Sequence, residues 1–283
     1  MGLHDSVSRK AILIGSPGEN PVLRGVKSDL NNIGTYLRSE KGGAWYSDEI
    51  QSYYDPPIDE ITDAISQNNA DYLFVYFSGH GYTESYSNKR MLNLKDKQIE
   101  DVLLLNRSPK QLIIIDACRS YVTPGITGIP GLGPQWLPAD GMQSIRDYFD
   151  DFISSSPEGK LIVHATQKGE FSYDSPNGGA FTKALLEVAS DMTTQNSGND
   201  YAGIELLLKR VPFVLLQKGN QQVPAITYKT GDLRVPFTVG IPIEKPKVVT
   251  PIRFNPVPTS KPNWAGWALF GFLIFLAIRS SDE

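Results

Sequence analysis

Apolar, β-branched runs alternate along the chain with stretches whose hydrophobic residues recur every three to four positions, and this alternation sets the expected architecture. Ala11 to Ile14 form a short apolar run that ends in Gly15-Ser16-Pro17-Gly18, a strand followed by a loop of helix and strand breakers. Val26, Leu30, Ile33 and Leu37 then follow helical spacing, and Ile58, Ile61, Ala64 and Ile65 mark a second helix after Asp55-Pro56-Pro57. The apolar strand from Tyr72 to Phe77 stops at Ser78-Gly79-His80-Gly81. Ile99, Val102, Leu103 and Leu104 predict a third helix, ahead of a strand from Leu112 to Ile115 that stops at Asp116-Ala117-Cys118. A helix over about 144–153, a strand over 160–165, a helix from near Phe181, a helix over 200–218 interrupted by Pro212 and a strand over 223–228 complete the pattern. Strands buried along their whole length and joined by helices imply an α/β fold, a mostly parallel sheet flanked by helices.

Three segments depart from the alternation. Residues 121–141 are rich in Pro and Gly with no period, too long for a simple connector. Prolines at 236, 242, 246, 251, 256, 258 and 262 forbid a helix and favour an extended tether. Its stretch 241–263 reaches at most ~70 Å when fully extended. Residues 264–278, WAGWALFGFLIFLAI, are apolar on every helical face, which leaves no polar side with which to lie on a surface. As a helix they span ~22 Å, short of a ~30 Å hydrocarbon core, so flanking groups such as Asn263 and Arg279 must snorkel or the bilayer thin. The expected organisation is a folded domain over 1–235, a proline-rich tether over 236–263, a single transmembrane helix over 264–279 and a short tail over 280–283. A buried or partner-bound helix is the alternative for the apolar run. Lys245, Lys247, Arg253 and Lys261 outweigh Arg279 across it, which places the folded domain in the cytoplasm.

Composition narrows the function. With 283 residues, 40% hydrophobic content and a net charge of -4, the chain has no basic footprint for nucleic acid. One cysteine excludes an internal disulfide and a thiolate metal cluster, so Cys118 acts, if at all, as a free thiol in a reducing compartment. The N-terminus has no signal-peptide pattern, although Gly2 with Ser6 fits a short acylation motif that arises readily by chance. No calcium-loop pattern is present, and Asp147, Asp150 and Asp151 space like a solvated helix face. The expectation is no metal site and no cofactor, with calcium activation left open. Gly15-Ser16-Pro17-Gly18 lacks the Gly-Lys-Ser/Thr ending of a phosphate-binding loop, which argues against a nucleotide-binding protein.

The candidate chemistry lies at the ends of two strands. A thiol of ordinary pKa is only ~3% ionised at neutral pH and needs a base to become a nucleophile. His80 is that base by placement, since loops after neighbouring parallel strands converge. Gly79 and Gly81 remove bulk on either side of it, and the backbone N–H groups of Gly81 and Cys118 are suited to an oxyanion hole. Taken singly, each residue has an ordinary alternative: a strand-end cysteine is commonly core packing. His164, inside an apolar strand, reads as a core histidine.

Tyr72 to Gly81 followed by Asp116-Ala117-Cys118-Arg119-Ser120 resembles the caspase and metacaspase family of cysteine peptidases, whose histidine lies in a His-Gly turn and whose cysteine follows the next core strand. The segments 164–173 and 178–186 resemble the family's substrate-flanking strand and helix, so the likeness runs from about Lys10 to Tyr228. Caspases proper read Gln-Ala-Cys-Arg-Gly, and the Asp116 of this chain is instead metacaspase-like. The resemblance implies a caspase-like fold and a Cys118/His80 dyad. It also implies an acidic pocket built from Asp116 and Asp29, with Asp174 as a third candidate. Such a pocket selects a substrate Arg, then Lys, before the cleaved bond. Asp29 has the alternative of a helix N-terminal carboxylate and Asp116 that of a turn cap. Cleavage after basic residues would make the Lys89-Arg90 turn the expected self-processing site, since no basic residue occurs between Arg119 and Arg146. The expected partners are a protein substrate, the lipid bilayer through 264–279 and an activating partner or signal, in a cell-death or antiviral-defence setting. The rival reading is a catalytically silent caspase-like scaffold at the membrane.

Overall fold

The computed structural model of this chain describes residues 7–117, 142–192 and 201–240. In chain order, β1 (Arg9–Ser16), α1 (Val26–Arg38), β2 (Ile50–Tyr54), α2 (Ile58–Ser66) and β3 (Tyr72–Gly79) come first. An antiparallel meander of β4 (Gly81–Thr83), β5 (Arg90–Asn93) and β6 (Gln98–Glu100) then precedes β7 (Lys110–Asp116). Next come α3 (Met142–Ser155), β8 (Gly159–His164), α4 (Ala180–Met192), β9 (Tyr201–Ala202), α5 (Ile204–Leu208), α6 (Val211–Gln217), β10 (Ala225–Gly231) and β11 (Thr238–Val239).

The central sheet has six strands in the order β10-β8-β7-β3-β1-β2. All pairs are parallel except β10, which runs antiparallel to β8 at one edge. Leu13, Phe74, Tyr76, Leu112 and Ile114 face one side, packed under α1, α3 and α4 by Ile33, Phe149, Phe181 and Leu185. Ile12, Val75, Phe77, Ile113 and Ile115 face the other, against Ile61 and Ile65 of α2 and Leu92 and Ile99 of the meander. Side chains alternate across a strand, so a strand buried on both faces must be apolar at every position. That is the physical content of the unbroken runs in β3 and β7.

Two expectations change, and one strand was not expected. Residues 99–104 form no α-helix: Gln98–Glu100 is a strand of the meander, and Asp101–Leu104 is a single 3-10 turn. Ile99 and Leu104 are buried on the sheet while Leu103 is exposed, so the apolar spacing reflects two separate insertions and not one helical face. The helix expected over 200–218 is two short helices, because the chain breaks at Lys209–Arg210; Pro212 sits in the first turn of α6, where its missing N–H costs nothing. The edge strand β2 has no apolar signature, because its residues are exposed or only half covered. No helix among the described residues is long and apolar enough to cross a membrane. Residues 264–279 and 121–141 lie outside the described residues.

At the end of the sheet where the parallel strands begin, the buried Arg9 guanidinium donates to the Gly43 carbonyl (2.8 Å) and lies 3.3 Å from Asp150 and 3.8 Å from Glu49. Its guanidinium carbon lies 5.1 Å from the ring centroids of both Trp45 and Phe149, which pack edge-on against each other. Arg146 forks onto both oxygens of Glu49 at 2.9 and 2.6 Å. Asp150 therefore belongs to an ion network and not to a solvated helix face. No group of His, Cys, Asp and Glu among the described residues is spaced to hold a metal ion.

Candidate functional site

At the other end of the sheet, β3 and β7 run parallel with Ser78 opposite Asp116. His80 follows Ser78 by two residues, as Cys118 follows Asp116 in the sequence. Cys118 itself lies outside the described residues, as do Arg119 and Ser120. The two strands finish level with each other, so the segments that continue from them start on adjacent tracks about 5 Å apart.

His80 is held from outside the sheet. Its Nε2 lies 2.7 Å from the carbonyl oxygen of Pro21, in the loop after β1. A carbonyl only accepts, so Nε2 carries the proton and Nδ1 of the neutral ring keeps its lone pair. Gly18 of the same loop, at φ +65, approaches the ring so closely that a Cβ there would lie 2.5 Å from Cδ2. Neither contact has a sequence signature: one partner is a backbone oxygen and the other has no side chain. The backbone beside His80 is also arranged. The Asn93 N–H donates to the His80 carbonyl (3.0 Å), and the Glu84 N–H donates to the Lys89 carbonyl (2.8 Å). These bonds mark His80/Asn93 and Glu84/Lys89 as hydrogen-bonded pairs, one and three rungs from Gly81–Leu92 in the β4–β5 ladder, and the antiparallel alternation then makes Gly81–Leu92 a pair that exchanges no hydrogen bond. The Gly81 N–H is thus left out of the ladder.

The structure brings the three candidate carboxyls together. Asp29, Asp116 and Asp174 line one cavity with Leu23, Ser78 and Gly79, and its volume is about 20 Å³. That is room for about one water molecule. Asp29, on α1, accepts from the Ser78 hydroxyl and the Gly179 N–H, both at 2.8 Å. Asp116 accepts from the Ser172 hydroxyl (2.6 Å) and from both the N–H (3.2 Å) and hydroxyl (2.7 Å) of Thr182. Since the Thr182 hydroxyl is committed to Asp116, it accepts from the buried Tyr76 hydroxyl 2.6 Å away. Asp174 accepts from the Gly25 N–H at 3.1 Å, just before α1. Gly179 passes between Asp29 and Asp116 with no room for a side chain.

Two buried like charges are costly, and the carboxyls respond. Burial, then the neighbouring Asp116 charge, pushes Asp29 well above the usual carboxylate range. Burial raises Asp116 against the bonds from Ser172 and Thr182, and burial likewise raises Asp174. Lys183 on α4, which donates to the Ser175 hydroxyl at 2.8 Å, is a nearby cation; burial lowers its pKa while the charges of Asp29 and Asp174 oppose that. The sequence reading did not assign Ser78, Ser172, Thr182 or Lys183, whose roles arise from tertiary contact alone.

Other candidates fall elsewhere. The fold splits the Lys89-Arg90 candidate: Lys89 is exposed at the end of the turn that joins β4 to β5, and Arg90 is half-buried. Arg90 opens β5, the middle strand of the meander, and ion-pairs with the buried Asp101, while Lys89 pairs with Glu100 at 3.1 Å. Asp101 also binds Nε2 of His164 at 2.9 Å, which makes His164 a bonded core residue tying β8 to the meander. A larger cavity of about 720 Å³ lies on the Gly18 side of His80, lined by Glu19, Asp55, Asn93, Lys95 and Lys97.

A family profile described as Caspase domain matches residues 8–233, most of the chain and all of the central sheet. The chain belongs to the caspase family. It is a family of cysteine peptidases, hydrolases that act on protein substrates. The fold agrees with solved caspase structures. Caspase-1 from Spodoptera frugiperda is 18% identical and superposes with a TM-score of 0.53 over 84% of this chain and 93% of that one. Protein GSU0716 from Geobacter sulfurreducens is 16% identical, with a TM-score of 0.54 over 83% of this chain and 100% of that one. No curated protein matches the sequence.

Proposed function

We propose that the chain is a membrane-anchored cysteine endopeptidase that cleaves protein substrates after Arg, and less readily after Lys. The observation that carries this reading is the pair of buried carboxyls, Asp29 on α1 and Asp116 at the end of β7, which share one cavity with Ser78 and Gly79, the residues just before His80. Their charges are unfavourable alone and become favourable when a cation enters. A guanidinium offers paired, charge-assisted donors to such a site, which an ammonium matches less well.

The chemistry follows from the tautomer of His80. Its Nδ1 takes the Cys118 thiol proton, and the thiolate attacks the carbonyl carbon of the basic residue. The Gly81 and Cys118 N–H groups receive the oxyanion. The imidazolium, steadied through Nε2–H by the Pro21 carbonyl, then gives its proton to the departing amine as the C–N bond breaks. Water deprotonated by the same Nδ1 hydrolyses the thioester and restores the thiol. The leaving half of the substrate exits over Gly18 into the larger cavity.

The contracted acidic pocket favours one second reading. At about 20 Å³ it admits no guanidinium until its lining parts, as would suit a caspase-like scaffold that is catalytically silent. A peptidyl electrophile carrying Arg at the reactive end separates the two. The peptidase reading expects a single adduct, on Cys118, formed faster than with the Asp analogue. Equal, slow labelling by both reagents would favour the scaffold. The setting we propose is regulated cell death or defence, with the domain held at the cytoplasmic side by residues 264–279.

A further inference from the structure

The short helices α5 and α6 and the turn between them expose Leu206 on α5, Lys209 and Arg210 on the turn, and Phe213 and Leu216 on α6. Phe213 is 67% exposed and Leu216 63% exposed, while Leu207, Val211 and Leu215 on the inner side are buried in the core. Two large apolar side chains this open on neighbouring turns are unusual for a surface that meets only water. Lys218 is answered by Glu187, whereas Lys209 and Arg210 enter no ion pair among the described residues. Apolar residues at the centre with uncompensated cations beside them are the pattern of a helix lying in the headgroup region of an anionic bilayer.

The path of the chain points the same way. β11 pairs with β9, setting Val239 opposite Tyr201, so residue 240 leaves the folded domain a few residues from the start of α5. The proline-rich tether and the apolar run 264–278 follow from there. We propose that the outer face of α5 and α6 is a membrane-docking surface, with Phe213 and Leu216 seated in the interface and Lys209 and Arg210 on anionic headgroups. This rests on the membrane-anchored reading for its setting but not for its chemistry. Two other occupants fit less well. A twofold-related copy would set Lys209 and Arg210 near their own counterparts. The run 264–278 carries no acid to answer them.

The test is hydrogen–deuterium exchange on the full chain with phosphatidylcholine vesicles, with vesicles containing phosphatidylserine, and in detergent micelles. Amides of 204–217 are expected to exchange on the order of tenfold more slowly on the anionic vesicles than on the neutral ones. About 1 M salt, with its ~3 Å screening length, should reverse part of that protection. Lys209→Glu/Arg210→Glu and, independently, Phe213→Ser/Leu216→Ser should each remove it. Equal protection in all three media would overturn the proposal in favour of the chain's own apolar run, and protection that grows with protein concentration would do so in favour of a second copy. Flotation with both kinds of vesicle without protection of 204–217 would reject docking and leave the anchor standing. Flotation with anionic vesicles alone, with protection, would support docking and reject the anchor. Failure to float with either would reject both.

Discussion

His80 is fixed by what the loop after β1 gives it: a carbonyl for Nε2 and a glycine that lets the backbone lie against the ring. Gly18→Ala would strain a left-handed backbone position and drive its Cβ into the imidazole. Peptidase activity should fall by about a hundredfold or more through misplacement of the base, while thermal unfolding shifts little. Asp29 carries a second prediction. Its folded-state pKa is raised above the unfolded value, so in the window between the two the native chain holds more protons than the unfolded chain. Stability from this group therefore falls as pH rises through that window. Ionised carboxyls are what a guanidinium needs, so kcat/KM for Arg peptides should rise across the same window. Asp29→Asn should flatten both trends, keep or raise Tm at neutral pH, and cost about tenfold to a hundredfold in kcat/KM for Arg peptides. Parallel pH series of Tm and kcat/KM on the two proteins check it; a variant that loses stability while keeping Arg preference would remove Asp29 from the pocket.

At the scale of elements, the meander protects a site that its sequence would offer for cleavage. Lys89 lies on the exposed turn before β5, whereas Arg90 begins β5 and pairs with Thr83 of β4, and a peptidase needs an extended segment free of such pairing. Incubated alone or with active enzyme, the folded chain should yield no fragment ending at residue 90 by intact-mass analysis; early cleavage there would contradict the fold around β5. The same elements explain what the sequence could and could not reveal. β1, β3, β7 and β8 were readable because burial on both faces forces unbroken apolar runs. β2 and the meander were not, because short or half-covered strands carry little pattern. His80 and the carboxyls stood out as side chains at strand ends and in a family resemblance. The Pro21 carbonyl and the hydroxyls of Ser78, Ser172 and Thr182 did not, since only the folded neighbourhood gives them a task.

Taken whole, the molecule separates stability from chemistry along the strand direction. The Arg9, Glu49, Arg146 and Asp150 network closes the end where the parallel strands begin, and His80 with the acidic pocket occupies the end where they finish. Chemistry at the carboxyl ends of parallel strands is the general rule for open α/β sheets. The central claim is that this end cleaves after basic residues with Cys118 as nucleophile. It is tested most directly by a panel of fluorogenic peptides that differ only in the residue before the cleaved bond, run on the full chain and on Cys118→Ala. The account predicts turnover of Arg peptides, slower turnover of Lys peptides, none of Asp peptides, and loss of all of it in Cys118→Ala. Turnover of Asp peptides without Arg or Lys, or Arg cleavage that survives Cys118→Ala, would contradict it.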